Sequence, residues 1–235
     1  MGWNMNKKLK LLLSFLIIII SIFLIILNYN NNNHKIDPSN NKTNNKVSDK
    51  QENKIEGNFI KAEDSDIIGS IKIIGTNIDN VIVQGNDNDY YMNRDEFKKY
   101  SKVGSIFLDY RNQIGDRKLL IYGHNSRTLK DAPFHDLEKF LDDSFYKKHH
   151  NIELTLNGEK ATYEIFSIMV VKSKKYPHTI IDFNDSNWLT HLTWMKNQSL
   201  YDTGVNVDEN DEIITLQTCY YEPADSFLIV NAKKI

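Results

Sequence analysis

Cys219 is the single cysteine of the 235-residue chain, and it closes the run Ile213-Ile214-Thr215-Leu216-Gln217-Thr218-Cys219. A thiol at a strand end, beside polar Gln217 and Thr218, lies where a substrate can reach it, whereas a strand interior would bury it. The thiolate is the reactive form, so a nucleophilic cysteine needs a base or a positive neighbour. His124 is the best-placed partner of the seven histidines. It ends the apolar run Leu119-Leu120-Ile121-Tyr122-Gly123-His124-Asn125, with Gly123 allowing close backbone approach. The others have plainer readings. His34 lies in a polar spacer, His149 and His150 follow two lysines on a charged face, His178 and His191 lie in or beside a helical insertion, and His135 has local partners in Pro133-Phe134-His135-Asp136. A Cys/His pair far apart in sequence is a nonspecific signal. From the residues alone Cys219 is either a nucleophile or a small buried hydrophobe, and His124 either a base or a structural residue. No cluster has metal-ligand spacing, so neither metal nor cofactor is expected.

The chain must carry these residues to a working place. Lys7, Lys8 and Lys10 precede an uncharged run, Leu11 to Leu27, interrupted only by Ser14 and Ser21. Its length is at the short end of the roughly 17–25 residues that span a bilayer. No small-residue cleavage site follows, so the run reads as an uncleaved single-pass signal anchor. Residues 1–10 then form a basic cytoplasmic N-terminus, and the bulk of the chain lies outside the cell membrane. Residues 28–57 are rich in Asn, Lys, Asp and Ser and poor in large apolar residues. Such a stretch cannot offset its ordering entropy and reads as a disordered tether. Residues 58–235 are one extracellular domain. A net charge of −2 gives no basic footprint and excludes a nucleic-acid binder on electrostatic grounds.

Within that domain, β-rich runs bounded by turn residues predict strands. They cover Ile71–Ile74, Val81–Val83, Ser105–Asp109, Leu119–Tyr122, Ile152–Leu156, Tyr163–Val171, Ile213–Leu216 and Phe227–Val230. Helices are predicted over Tyr90–Tyr100, Phe134–His149 and Ser186–Asn197. The last places Trp188, Leu192 and Met195 on one face, with Asp185 or Ser186 as cap. Many strands with a few inserted helices predict a mostly β, α+β barrel rather than a doubly wound sheet.

Several segments together resemble the sortase family, class B branch. Thr215-Leu216-Gln217-Thr218-Cys219 is similar to the family's nucleophile motif and Tyr122-Gly123-His124-Asn125 to its histidine motif. Gly104–Asn112, Gly75–Ile78, Tyr90–Asn93 and Ser199–Val205 are similar to further class B blocks, in the same order. The resemblance implies a closed eight-stranded β-barrel with an N-terminal helical part and a helix in the loop before the nucleophile strand. It implies a cysteine transpeptidase that cleaves a C-terminal sorting motif of surface proteins, of Asn-Pro-x-Thr type. The thioacyl-enzyme on Cys219 would pass its acyl group to an amine of a cell-wall precursor or a pilin, with His124 as the imidazolium that protonates the leaving amine. A groove walled by the Lys172–Asp202 insertion and the Tyr90–Tyr100 helix would hold the peptide, with Tyr122, Gln217 and Thr218 as binding residues. The protein is expected to act as a monomer.

One position departs from the family. The arginine eight places after the cysteine, implied to stabilise the oxyanion, is Phe227 here, and no arginine follows Arg127. Arg127, three residues after His124, is the candidate substitute, with backbone N–H groups as the other. The alternative is a weakened or inactive sortase-like module that binds sorting peptides without turning them over. Hydrolysis in place of transfer, or an intermolecular disulfide through Cys219, are further readings.

Overall fold

Alternation is clearest in β5 (Asn151–Leu156), where Ile152, Leu154 and Leu156 turn inward and Asn151, Glu153 and Thr155 outward. The turn Asn157-Gly158, both at positive φ (47° and 84°), returns the chain into β6 (Glu159–Lys172). That is the Asn-Gly geometry that matches strand twist. The computed structural model describes residues 65–172 and 184–235. The anchor at 11–27, the tether at 28–57, His34, His178 and the middle of the Lys172–Asp202 insertion lie outside the described residues. Among the described residues no helix is long and apolar enough to cross a membrane.

The remaining strands are β1 (Ile67–Ile73), β2 (Asp79–Val83), β3 (Ile106–Leu108), β4 (Lys118–Tyr122), β7 (Ile213–Tyr220) and β8 (Ser226–Lys234). All eight close into a barrel in the order β1-β2-β3-β4-β7-β8-β6-β5. The β2–β3 and β4–β7 pairs are parallel and the others antiparallel. Each predicted strand is present. Ile71, Ile121, Ile152, Ile165, Leu216 and Val230 fill the interior, and full burial of such a side chain contributes roughly 1.5–3 kcal/mol.

The helices depart further from expectation. Tyr90–Tyr100 is not a helix: a 3-10 turn covers Tyr90–Asn93 only. Beyond it the Asp95 carboxylate accepts from the backbone N–H groups of Phe97 and Lys99, and Lys98 takes φ 66°. An aspartate that captures nearby N–H groups competes with the helix ladder. Phe134–His149 divides into a 3-10 segment, His135–Leu141, and a single turn α1, Asp143–Tyr146. Extended Asp142 separates them and caps the Ser144 N–H at 2.9 Å. The third helix forms as α2, Asp185–Asn197. Its cap is Asn184, one residue earlier than expected, accepting from Asn187 N–H at 3.1 Å.

Two clusters cover the outside of the barrel. Trp188, Leu192 and Met195 of α2 pack on Phe166, Met169, Ile213 and Ile229. Tyr91, in the 3-10 turn, packs on Val83 and Phe107, joined by Tyr90 and Tyr122. The outward-facing ends of β4 and β7 emerge between these elements.

Candidate active site

β4 and β7 run parallel with Tyr122 opposite Gln217. The chain leaving β4 stays stitched to β7. Gly123 N–H donates to Gln217 O at 3.3 Å, Thr218 Oγ1 to Gly123 O at 2.7 Å, and Asn125 Nδ2 to Cys219 O at 3.1 Å. His124, between Gly123 and Asn125, is thereby carried to the level of Cys219. Gly123 is required, since a Cβ there would stand 2.6 Å from the Phe134 ring. Phe134 in turn donates its N–H to His124 O at 2.9 Å.

The His124 ring is also held. Its Nε2 lies 2.6 Å from Met92 O. A carbonyl only accepts, so Nε2 carries a hydrogen, and Nδ1 is the nitrogen that can take up or release a proton. Cys219 is free and half-buried, and burial pushes its thiol above the ordinary value. Among the described residues no group of three or more acidic, histidine or cysteine side chains is disposed to hold a metal.

A model of the sortase domain matches residues 71–235. Sortase B of Listeria monocytogenes is 37% identical over 163 residues, 66% of this chain. The chain belongs to the sortase family. Its class B character follows from the same relative and from solved structures. The crystal structure of Clostridium perfringens sortase B superposes with TM-score 0.68 at 34% identity, covering 72% of this chain and 94% of that one. The Staphylococcus aureus sortase B–substrate complex gives 0.67 at 34% identity, over 72% and 80% of the two chains. The match spans 63% of the length of the Listeria relative.

The sortase barrel places the departing residue plainly. Phe227 on β8 is the register partner of Cys219. Half-buried, it packs against the cluster under α2. Arg127 stacks 5.1 Å over the Tyr221 ring, donates from Nη2 to Tyr221 O at 2.9 Å and stands 3.5 Å from the Glu222 carboxylate. Its guanidinium is thus engaged beyond Cys219, at the start of the β7–β8 connection.

The three residues expected to bind peptide have different surroundings. Gln217 is buried, and its Oε1 is buried with no hydrogen-bond partner among the described residues. Thr218 faces inward at 2% exposure with its hydroxyl on Gly123 O. It ties two strand ends together and is not turned to a peptide, a correction that strand alternation explains. Tyr122 donates its hydroxyl to Asp109 Oδ2 at 3.0 Å.

Two groups of residues escaped the sequence reading. Fully buried Asp109 receives Arg111 through Nε at 2.9 Å and Nη2 at 2.7 Å, and Asn88 Nδ2 at 3.0 Å. Burial alone would raise its carboxyl, but these hydrogen bonds outweigh it and hold it below the usual range. Burial, with the Asp109 charge, pushes the Tyr122 phenol up. On the other side of His124, buried Asn125 donates to Glu138 Oε1 at 2.6 Å and pairs through Oδ1 with His135 Nδ1 at 2.8 Å. Asp109, Arg111 and Asn125 lie in segments that carry the family resemblance, but their contacts have no sequence signature, because Asn88, Glu138 and His135 reach them only once the chain folds. Farther along β4, buried Lys118 lies 3.2 Å from His191 of α2, and burial lowers both, to about 7 and about 3.

Proposed function

We propose that this protein is a sortase B-type cysteine transpeptidase, with Cys219 as nucleophile and His124 as acid and base. The reading rests on one observation above all: parallel β4 and β7 bring the two residues to neighbouring strand ends, with the imidazole held by Met92 O. The substrate class is taken from the class B resemblance. It is a C-terminal sorting motif of Asn-Pro-x-Thr type, laid in the groove between α2 and the Tyr90–Asn93 turn. Residues 11–27 are proposed to anchor the chain by a single pass, residues 28–57 to tether it, and residues 58–235 to work outside the membrane as a monomer.

His124 Nδ1 takes the Cys219 proton as sulfur attacks the scissile carbonyl carbon. The tetrahedral intermediate collapses to a thioester, the C–N bond breaks, and the imidazolium gives its proton to the leaving amine. Tyr122 and Gln217 flank the scissile bond. Because Arg127 is engaged with Tyr221 and Glu222, the oxyanion is assigned to backbone N–H groups. A cell-wall or pilin amine then releases the acyl group.

The test is cleavage of fluorogenic sorting peptides by the full chain in detergent, compared with Cys219→Ala, His124→Ala and Phe227→Arg. Wild-type cleavage lost in Cys219→Ala is expected. Phe227→Arg should raise the acylation rate, by up to about 100-fold if the missing donor is limiting. Cleavage that survives Cys219→Ala would overturn the assignment.

A further inference from the structure

The group that holds the His124 ring is a main-chain atom, and the carbonyls around it are bonded elsewhere. Tyr91 O accepts from Ser105 N–H at 3.1 Å, Asn93 O from Ser101 N–H at 3.0 Å and Arg94 O from Ser105 Oγ at 2.8 Å. Met92 O, in the middle of that stretch, faces His124 Nε2 at 2.6 Å. We propose that Met92 O is the orienting third member of the Cys219–His124 site, and that Asp66, Tyr91 and Gly104 are positioning residues that hold it on the imidazole. The proposal rests on the reading of His124 as acid and base and adds to it what aims the ring.

A side-chain carboxylate or amide that orients a histidine is aimed by its own rotamer. A carbonyl is aimed only by the path of the backbone, so that path must be fixed from outside. Tyr91 fixes it on one side. Its ring is 1% exposed and packs on Val83 of β2 and Phe107 of β3. Its hydroxyl donates to Asp66 Oδ2 at 2.6 Å. Burial, and then the Asp66 carboxylate, pushes the phenol up, so it stays protonated and donates. Asp66 is itself held just before β1. Its carbonyl accepts from Gln84 N–H at 2.9 Å, and its carboxylate stands 3.3 Å from Lys98 Nζ. Gly104 fixes the path on the other side. It takes φ 60°, and a Cβ there would stand 2.6 Å from both Met92 O and Tyr91 O. A side chain at 104 would therefore push the turn away from its present place.

The chemistry needs this aim. With Nε2 donating to Met92 O, the neutral ring keeps Nδ1 bare for the Cys219 proton. Without that bond the two tautomers compete, and one of them carries its hydrogen on Nδ1. The carbonyl dipole also favours the imidazolium that forms during attack. A plain structural role for the Tyr91–Asp66 bond would satisfy a buried hydroxyl and move stability alone.

The experiment records nitrogen NMR shifts of the histidine rings in the full chain in detergent, in mildly alkaline buffer, with His124→Ala to assign the signal. It is paired with peptide-cleavage kinetics per folded molecule. Wild type should show a single tautomer with the hydrogen on Nε2. Tyr91→Phe keeps the ring and loses the bond; it should give mixed tautomers and lower kcat about tenfold with KM unchanged. Asp66→Ala should do the same, and Asp66→Asn, which keeps an acceptor oxygen, should restore both readouts. Gly104→Ala should lower kcat about 100-fold; if it does not fold, the Tyr91 and Asp66 variants still decide. A wild-type ring with its hydrogen on Nδ1 would overturn the proposal. So would Tyr91→Phe with a lower melting temperature but unchanged tautomer and kcat, while peptide cleavage still upheld the transpeptidase reading. A single wild-type tautomer, scrambled in Tyr91→Phe, in a chain that cleaves no peptide would uphold the clamp and overturn that reading.

Discussion

Under α2 the barrel wall is sealed by Trp188, Leu192, Met195, Phe166, Met169 and Ile229. At the ends of β4 and β7, Asp109 accepts hydrogen bonds from Asn88, Arg111 and Tyr122, while Asn125 donates to Cys219 O and Glu138 and pairs with His135. The first region gains from area removed from water, which is non-directional. The second gains little net stability per contact but fixes atoms in place, and a bond left unmade there is costly. Apolar packing thus holds α2 on the barrel, and polar bonds fix the segments that carry Cys219 and His124.

This contrast can be broken at each region. His124→Ala should cost about 100- to 10,000-fold in kcat with the melting temperature nearly unchanged, as the proposed role in proton transfer requires. Trp188→Ala should do the reverse. It removes a fully buried side chain and should cost about 3–5 kcal/mol of stability, read by denaturant titration. Asn125→Ala should lower kcat by about 10- to 100-fold with KM little altered, because a small displacement of a reacting group is expensive. If Asn125→Ala changed only stability, the polar side would be mere scaffold.

The smallest effect is one of pH. Burial disfavours the Cys219 thiolate, so the thiol form dominates near neutrality. Alkylation by iodoacetamide should rise with pH and reach its midpoint above that of a free thiol, returning to the ordinary value on denaturation. The sign for stability follows. A folded pKa above the unfolded one contributes stability below the ordinary thiol value, and this is lost as pH rises through the folded value.

Much of this was legible in the sequence. The period-2 run Ile152–Leu156 declares a half-buried strand, whereas Cys219 and His124 end strands that are buried almost throughout. α2 was legible because Trp188, Leu192 and Met195 recur at helical spacing. The false helices at Tyr90–Tyr100 and Phe134–His149 failed for a local reason: Asp95 and Asp142 take backbone N–H groups that a helix would need. Phe227 stands opposite Cys219 in the β7–β8 register. What no spacing could reveal is Asn125, whose partners Glu138, His135 and Cys219 come from separate segments.

The most direct test of the central claim is mass spectrometry of the full chain quenched with a sorting peptide under acid. The account predicts an adduct with the mass of the N-terminal peptide fragment, mapped to Cys219, released by hydroxylamine and absent in Cys219→Ala. Peptide cleavage without any adduct, persisting in Cys219→Ala, would contradict it.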